Sequence, residues 1–221
     1  MRETYHRKLA ALLGILAQMA AEAGAAMRQA TYALTDADLW AAEETISRYD
    51  HVSSLAREAE EQAFNLLVLQ APVAGELRTV VSALQIVSDL DRMAVLATHI
   101  ATAARRRHPN PVVPHELVGH FRQMGDIAVH LADATRDVLE TCDPGRARQL
   151  DADDDAMDEL YGSLFAVLMN PGWPHGVQAA VDITLLSRYY ERFADHAVAI
   201  GARVVFLATG DLVSEADFHA S

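Results

Sequence analysis

"YYERFADHAVAIGARV", residues 189–204, has a counterpart one hundred residues earlier in "LDRMAVLATHIATAA", residues 90–104. Laid over each other, Glu191-Arg192-Phe193-Ala194-Asp195 falls on Asp91-Arg92-Met93-Ala94-Val95. Acid, arginine, bulky apolar residue and alanine are kept. The fifth position is Asp in one copy and Val in the other. Apolar residues continue at Ala97 and Ile100, and at Ala197 and Ile200, the three-to-four spacing of one helix face. A second pair of segments matches in the same way: "YDHVSSL" at 49–55 against "DDAMDEL" at 154–160, framed by Val52/Met157 and Leu55/Leu160. A duplicated three-helix unit explains both matches more economically than a single six-helix fold.

Breaker residues divide the chain accordingly. The first helical segment runs from about Glu3 to Leu34, with Leu9, Leu12, Leu13, Leu16 and Met19 on one face. "TDAD" at 35–38 interrupts it, with Thr35 or Asp36 available to cap the next helix. The second segment runs to about Leu69, where Pro72 intervenes. The third runs from Gly75 to Arg107, with Leu77, Val80, Val81, Leu84, Val87, Leu90, Leu96 and Ile100 in helical phase. "HPNPVVPH" at 108–115 holds three prolines in eight residues, and no helix continues through it. The fourth segment runs to about Thr141. The fifth starts at "CDPG", with Asp143 as N-cap and Pro144 at the first helical position, and runs to Asn170. The sixth ends at Gly210. The expected fold is all-α: two tandem, pseudo-repeated antiparallel three-helix bundles at 1–107 and 115–213. A Pro-rich linker spans 108–114 and a tail spans 214–221.

Composition agrees. The 221 residues are 51% hydrophobic and only 6% aromatic, so Ala, Leu and Val fill the core, a mixture suited to closely packed helices. The net charge of -13 would repel a phosphate backbone, which argues against nucleic-acid binding. The single cysteine, Cys142, forms no internal disulfide and fits a reducing cytosol. Basic residues followed by nine apolar ones from Leu9 to Ala17 superficially resemble a signal peptide. Glu3 sits in the would-be basic region and the helical pattern continues past Met27, so a first amphipathic helix is the simpler account. No stretch holds eighteen uninterrupted apolar residues, and no membrane span is expected.

Chemistry concentrates in the second half. Asp154-x-x-x-Asp158 and Glu191-x-x-x-Asp195 lie on the fifth and sixth helices. Residues four apart are neighbours on one face, about 6 Å along the axis. Two such pairs on adjacent helices gather four carboxylates, whose repulsion raises their pKa values unless something compensates. A bound cation is one compensation, and all-oxygen ligands suit Mg²⁺, Mn²⁺, Ca²⁺ or iron. In the first half the aligned pairs are Tyr49-x-x-x-Ser53 and Asp91-x-x-x-Val95, with one acid of four remaining. Acids four apart are also common on solvated helix faces, and Arg188 and Arg192 stand within pairing distance. Spacing alone leaves both readings open.

Several stretches together resemble the PhoU family of phosphate-signalling regulators: "YYERFADHAVAIG" at 189–201, "DLDRMAVLATHIA" at 89–101, "LQAPVAGELRTVVSALQI" at 69–86 and "YHRKL" at 5–9. The string from Ala71 to Arg78 is the most distinctive. The resemblance covers nearly the whole chain. It implies two three-helix bundles with acid-x-x-x-Asp motifs on the second and third helix of each. It also implies a cytoplasmic, homodimeric regulator rather than an enzyme. Such a regulator couples a phosphate ABC transporter to a sensor histidine kinase at the inner face of the membrane and holds phosphate-starvation signalling off. Family members bind metal clusters through these motifs, which carries over to Asp154, Asp158, Glu191 and Asp195. Iron, zinc, manganese or magnesium are the expected ions. Tyr49, Ser53 and Val95 depart from the motif, leaving Asp91 as a partner for a nearby arginine.

Two alternatives stand beside this expectation. One is a metal-free structural adaptor. The other is a carboxylate-bridged di-metal helical-bundle enzyme, which needs Glu-x-x-His on two helices, whereas this chain has one, Glu3-x-x-His6. His99, His196 and the Asp126/His130 pair read as packed or surface residues. Arg105–Arg107 end a helix where positive charge suits the dipole. Trp40 and Trp173 are expected to pack at helix junctions.

Overall fold

The computed structural model describes residues 2–70 and 72–211, with the backbone alone at 2–4 and 69–70. Its six α-helices are α1 (Arg2–Asp36), α2 (Leu39–Gln70), α3 (Gly75–Arg107), α4 (Val118–Thr141), α5 (Pro144–Leu168) and α6 (Gly176–Thr209). A short 3-10 helix, His115–Leu117, precedes α4, and no strand occurs among the described residues. Helices α1–α3 form one antiparallel unit and α4–α6 the second. The units join along two seams, α1 against α4 and α3 against α6, leaving α2 and α5 on the outside. The expected tail at 214–221 lies outside the described residues.

Helix ends follow local chemistry. Asp143 Oδ1 accepts from the amides of Gly145 and Arg146, with Pro144 at the first helical position, as its sequence indicates. Gly210, at φ 84°, closes α6 in the left-handed region. The start of α2 differs from expectation. Asp38 Oδ1, at 2.8 Å from the Ala41 amide, is its cap, while Thr35 and Asp36 still belong to α1.

The seams need small residues. A Cβ on Gly125 of α4 would come within 2.6 Å of the Thr31 side chain of α1. That space lets the Thr31 hydroxyl reach the Tyr190 hydroxyl of α6 at 3.0 Å, inside a wholly buried region. A Cβ on Gly201 would meet the Ala147 carbonyl at 2.6 Å, so α5 and α6 also approach closely. Helix α1 touches α2, α3 and α4, and buries Leu12, Leu16, Met19, Ala23, Met27 and Ala30. Between Tyr5 and Asp36 it is long and apolar enough, by composition, to cross a membrane, with a mean hydropathy of 1.6 in its most apolar window. The lack of an unbroken apolar run had hidden this. A helix with partners around most of its girth carries the same composition.

Three apolar expectations are corrected. Leu77 and Val81 are 41% and 43% exposed rather than core, and Trp40 is 71% exposed rather than packed at a junction. Helical phase identifies a face, but near a helix end that face can extend beyond its partner.

Candidate metal centre

The four expected acids converge on the outer face of the α5–α6 pair, two below the surface and two on it. Asp154 is 6% exposed and Glu191 9% exposed, while Asp158 and Asp195, one turn further along each helix, face solvent. Burial, then the charges of Asp158, Asp195, Glu191 and Asp151, push the Asp154 carboxyl up to about 7. Glu191 is also raised, first by burial and then by Asp195, against the opposing pull of Arg188. Asp195 is raised by partial desolvation, opposed by Arg188 and Arg192.

Hydrogen bonding leaves part of this cluster uncompensated. Glu191 Oε1 accepts from Arg188, but Glu191 Oε2 and Asp154 Oδ1 are buried without a hydrogen-bond partner. Such orphaned oxygens are rare in folded proteins because each has lost its water without replacement. These two atoms fit a cation ligand chemically. Even so, among the described residues no three His, Cys, Asp or Glu side chains are gathered as a ready-made metal site. The cluster has the donors but not a closed coordination shell.

The first bundle resolves the same position differently. The Tyr49 hydroxyl, aligned with Asp154, donates to Asp91 Oδ1 at 3.2 Å. Burial raises the Tyr49 pKa, and the Asp91 charge and this bond add to it. Asp91 was expected to pair with an arginine; its partner is this tyrosine across the helix pair. Ser53 and Val95 complete a half-buried surface with no further acid.

Other singled-out residues fall elsewhere. His130 Nε2 lies 3.5 Å from Asp153 of α5. Arg105 and Arg107 turn onto Glu43 and Asp182. The Trp173 ring meets His175 in the α5–α6 connection. One cluster was missed from the sequence: Asp89 of α3, 8% exposed, accepts from Arg203 Nε at 2.8 Å, with His196 Nδ1 at 3.1 Å. It ties α3 to α6. Its available signal was an acid in the buried phase of α3, between Val87 and Leu90.

A family profile described as the PhoU domain matches residues 16–104 and again 121–204, once on each bundle. The chain belongs to the PhoU family. It is 53% identical over 210 residues to the "Phosphate-specific transport system accessory protein PhoU homolog 2" of Mycobacterium tuberculosis, covering 95% of this chain and 99% of that one. Homolog 1 of the same organism is 47% identical, over 97% of each chain. The crystal structure of PhoU from Pseudomonas aeruginosa superposes with a TM-score of 0.81 at 23% identity, covering 94% of this chain and 100% of that chain. The phosphate transport system regulatory protein PhoU from Streptococcus pneumoniae gives 0.84 at 23%, covering 95% and 99%. These two structural likenesses establish the PhoU fold, and the sequence relatives establish membership.

Proposed function

We propose that this PhoU-family chain is an accessory regulator of a phosphate-specific transport system, acting by protein–protein contact and not by catalysis. The observation that carries the reading is the 53% identity, along 95% of the chain, to a protein named as such an accessory. In the finer reading, the chain sits in the cytoplasm as a homodimer. It engages a phosphate ABC transporter and a sensor histidine kinase at the inner face of the membrane, and represses the phosphate-starvation response. Phosphate status would act by changing which partner is bound more tightly.

Surface chemistry supports contact with partners. Leu77 and Val81 of α3 are exposed, and so are their repeat equivalents Val177 and Val181 of α6. On the second bundle the apolar side chains surround a groove of about 550 Å³ that includes Phe165, Met169 and Trp173. Exposed apolar surface concentrated at equivalent ends is what binding surfaces present to solvent before a partner covers them. Deleting the gene and assaying phosphate-responsive transcription in phosphate-rich medium tests the regulatory reading. Derepression is expected, and full repression would refute it. Recovery of transporter or kinase subunits on the tagged protein, from membranes under high and low phosphate, tests the named partners.

The second-bundle acids form part of the same proposal. Asp154 and Glu191, with Asp158 and Asp195 at the rim, would hold a divalent or ferric ion. Bound there, the ion would neutralise the clustered charge. Glu191 would have to share or surrender its bond from Arg188. A metal-free adaptor is the second reading, favoured by the absence of three gathered ligands among the described residues. The two part on whether purified protein retains metal through dialysis.

A further inference from the structure

The α3–α6 seam is closed on one side and open on the other. On the closed side Arg203 of α6 crosses to Asp89 at 2.8 Å and to Gln85 at 3.0 Å, filling the space between the helices. The repeat equivalent of Arg203 is Ala103, and the equivalents of Asp89 and Gln85 are Tyr189 and Leu185. Neither Tyr189 nor Leu185 offers a carboxylate or amide, and α3 and α6 are joined on this side by His99 against Tyr189 and by Arg107 on Asp182. A cavity of about 420 Å³ remains between the end of α3 and the start of α6, roofed by Val112.

The groups facing this cavity are specific. Arg106 and Thr102 have no hydrogen bond or ion pair with any described residue. The equivalent of Arg106 is Phe206, whose ring lies against Arg78 at 5.6 Å. The one acid on the wall, Asp182, is neutralised by Arg107 at 2.6 Å. His99 packs its ring against Tyr189 at 5.2 Å, and burial, then Arg92, lowers its pKa. The remaining wall, Leu185 and Leu186 with Val112, is apolar. A net positive charge is thus left over in a cavity of a chain whose own charge is -13.

We propose that this cavity binds a nucleoside monophosphate, its phosphate held by Arg106 and Thr102 and its base against Tyr189, Leu185 and Val112. A cation with an unpaired hydroxyl beside it suits a phosphate group, which accepts several charge-assisted hydrogen bonds. The adjoining aromatic and aliphatic wall suits a planar heterocycle. The volume admits one such molecule. This inference is independent of the carboxylates and of the regulatory reading.

Isothermal titration of the full chain with AMP, GMP, CMP and UMP tests it, alongside thermal unfolding, since a ligand of the folded state raises Tm. At least one nucleotide should saturate below about 1 mM. Adenosine and inorganic phosphate, which each carry half of the recognised chemistry, should bind at least tenfold more weakly. Arg106→Ala should weaken nucleotide binding at least tenfold. Ala103→Phe should abolish it, because position 103 lines the cavity and the larger side chain fills it. Arg146→Ala, on the outer helix, should have no effect. Failure of all four nucleotides to saturate would overturn the proposal. So would equal binding of adenosine or phosphate, or unchanged binding by both Arg106→Ala and Ala103→Phe.

Discussion

Position 49 and position 154 occupy the same place in two copies of one helical unit, and they meet the same neighbour, an acid on the third helix. In the first bundle a tyrosine donates a hydrogen bond to Asp91 at 3.2 Å. In the second an aspartate stands there beside Glu191, with a buried oxygen on each left unpartnered. One pair is satisfied by its own chain. The other is not, and it keeps its charge only at a cost or with outside compensation. The packing frame is nevertheless the same: Val52 and Met157 are both wholly buried. The duplication therefore separates the scaffold from the site. Packing needs the apolar frame, and among the described residues the uncompensated carboxylates belong to the second bundle.

The largest expected effect comes from making the second bundle like the first. In the folded chain Asp154 is held up at about 7, against 3.8 for the free side chain. As pH rises the unfolded chain releases this proton first, so the folded state binds more protons between the two values. The contribution of Asp154 to stability is therefore lost as pH rises from about 4 to about 7, and is level above. Asp154→Asn should remove that loss. In metal-free protein it should stabilise by about 2–4 kcal/mol at pH 8 and by little at pH 4. Urea titrations at both pH values measure the difference, and equal effects at the two would break the comparison.

The reciprocal change should work in the opposite sense. Tyr49→Asp places a second acid beside Asp91 and should cost about 1–3 kcal/mol at neutral pH. A loss that vanishes on acidification would identify charge repulsion, not lost ring packing, as the cause. Tyr49→Phe deletes only the hydroxyl and should cost about 1 kcal/mol, read from the shift in urea midpoint. The smallest effect is expected at the rim, where Asp158→Asn should change metal-free stability by less than about 0.5 kcal/mol because solvent already screens that side chain. A larger change there would mean that the rim acids, and not the buried pair, carry the repulsion.

Much of this is legible in the sequence. The repeated helix at 90–104 and 189–204 fixes the duplication, because apolar phase and the acid–arginine pair recur together. Asp143-Pro144 and Gly210 mark helix ends because backbone geometry restricts what stands there. The four acids were found from i,i+4 spacing, which places side chains on one face without saying how deep that face lies. Depth required the partner helix: Asp154 is buried and Asp158 exposed, although both belong to one motif. The Tyr49–Asp91 bond and the Arg203–Asp89 bridge link helices far apart in sequence, and spacing within a helix carries no trace of them. Exposure of Leu77, Val81 and Trp40 was missed for the same reason, since a periodic apolar face does not reveal where its cover ends.

The most direct test is metal content by elemental analysis after the protein is loaded separately with Fe³⁺, Zn²⁺, Mn²⁺ and Mg²⁺ and dialysed. Wild type, Asp154→Asn and Asp91→Asn should be compared side by side. If the second bundle alone retains a cation-demanding cluster, wild type and Asp91→Asn will hold the same ion in the same amount, and Asp154→Asn will lose it. Equal loss from both variants, or no metal retained by wild type under any loading, would contradict the account.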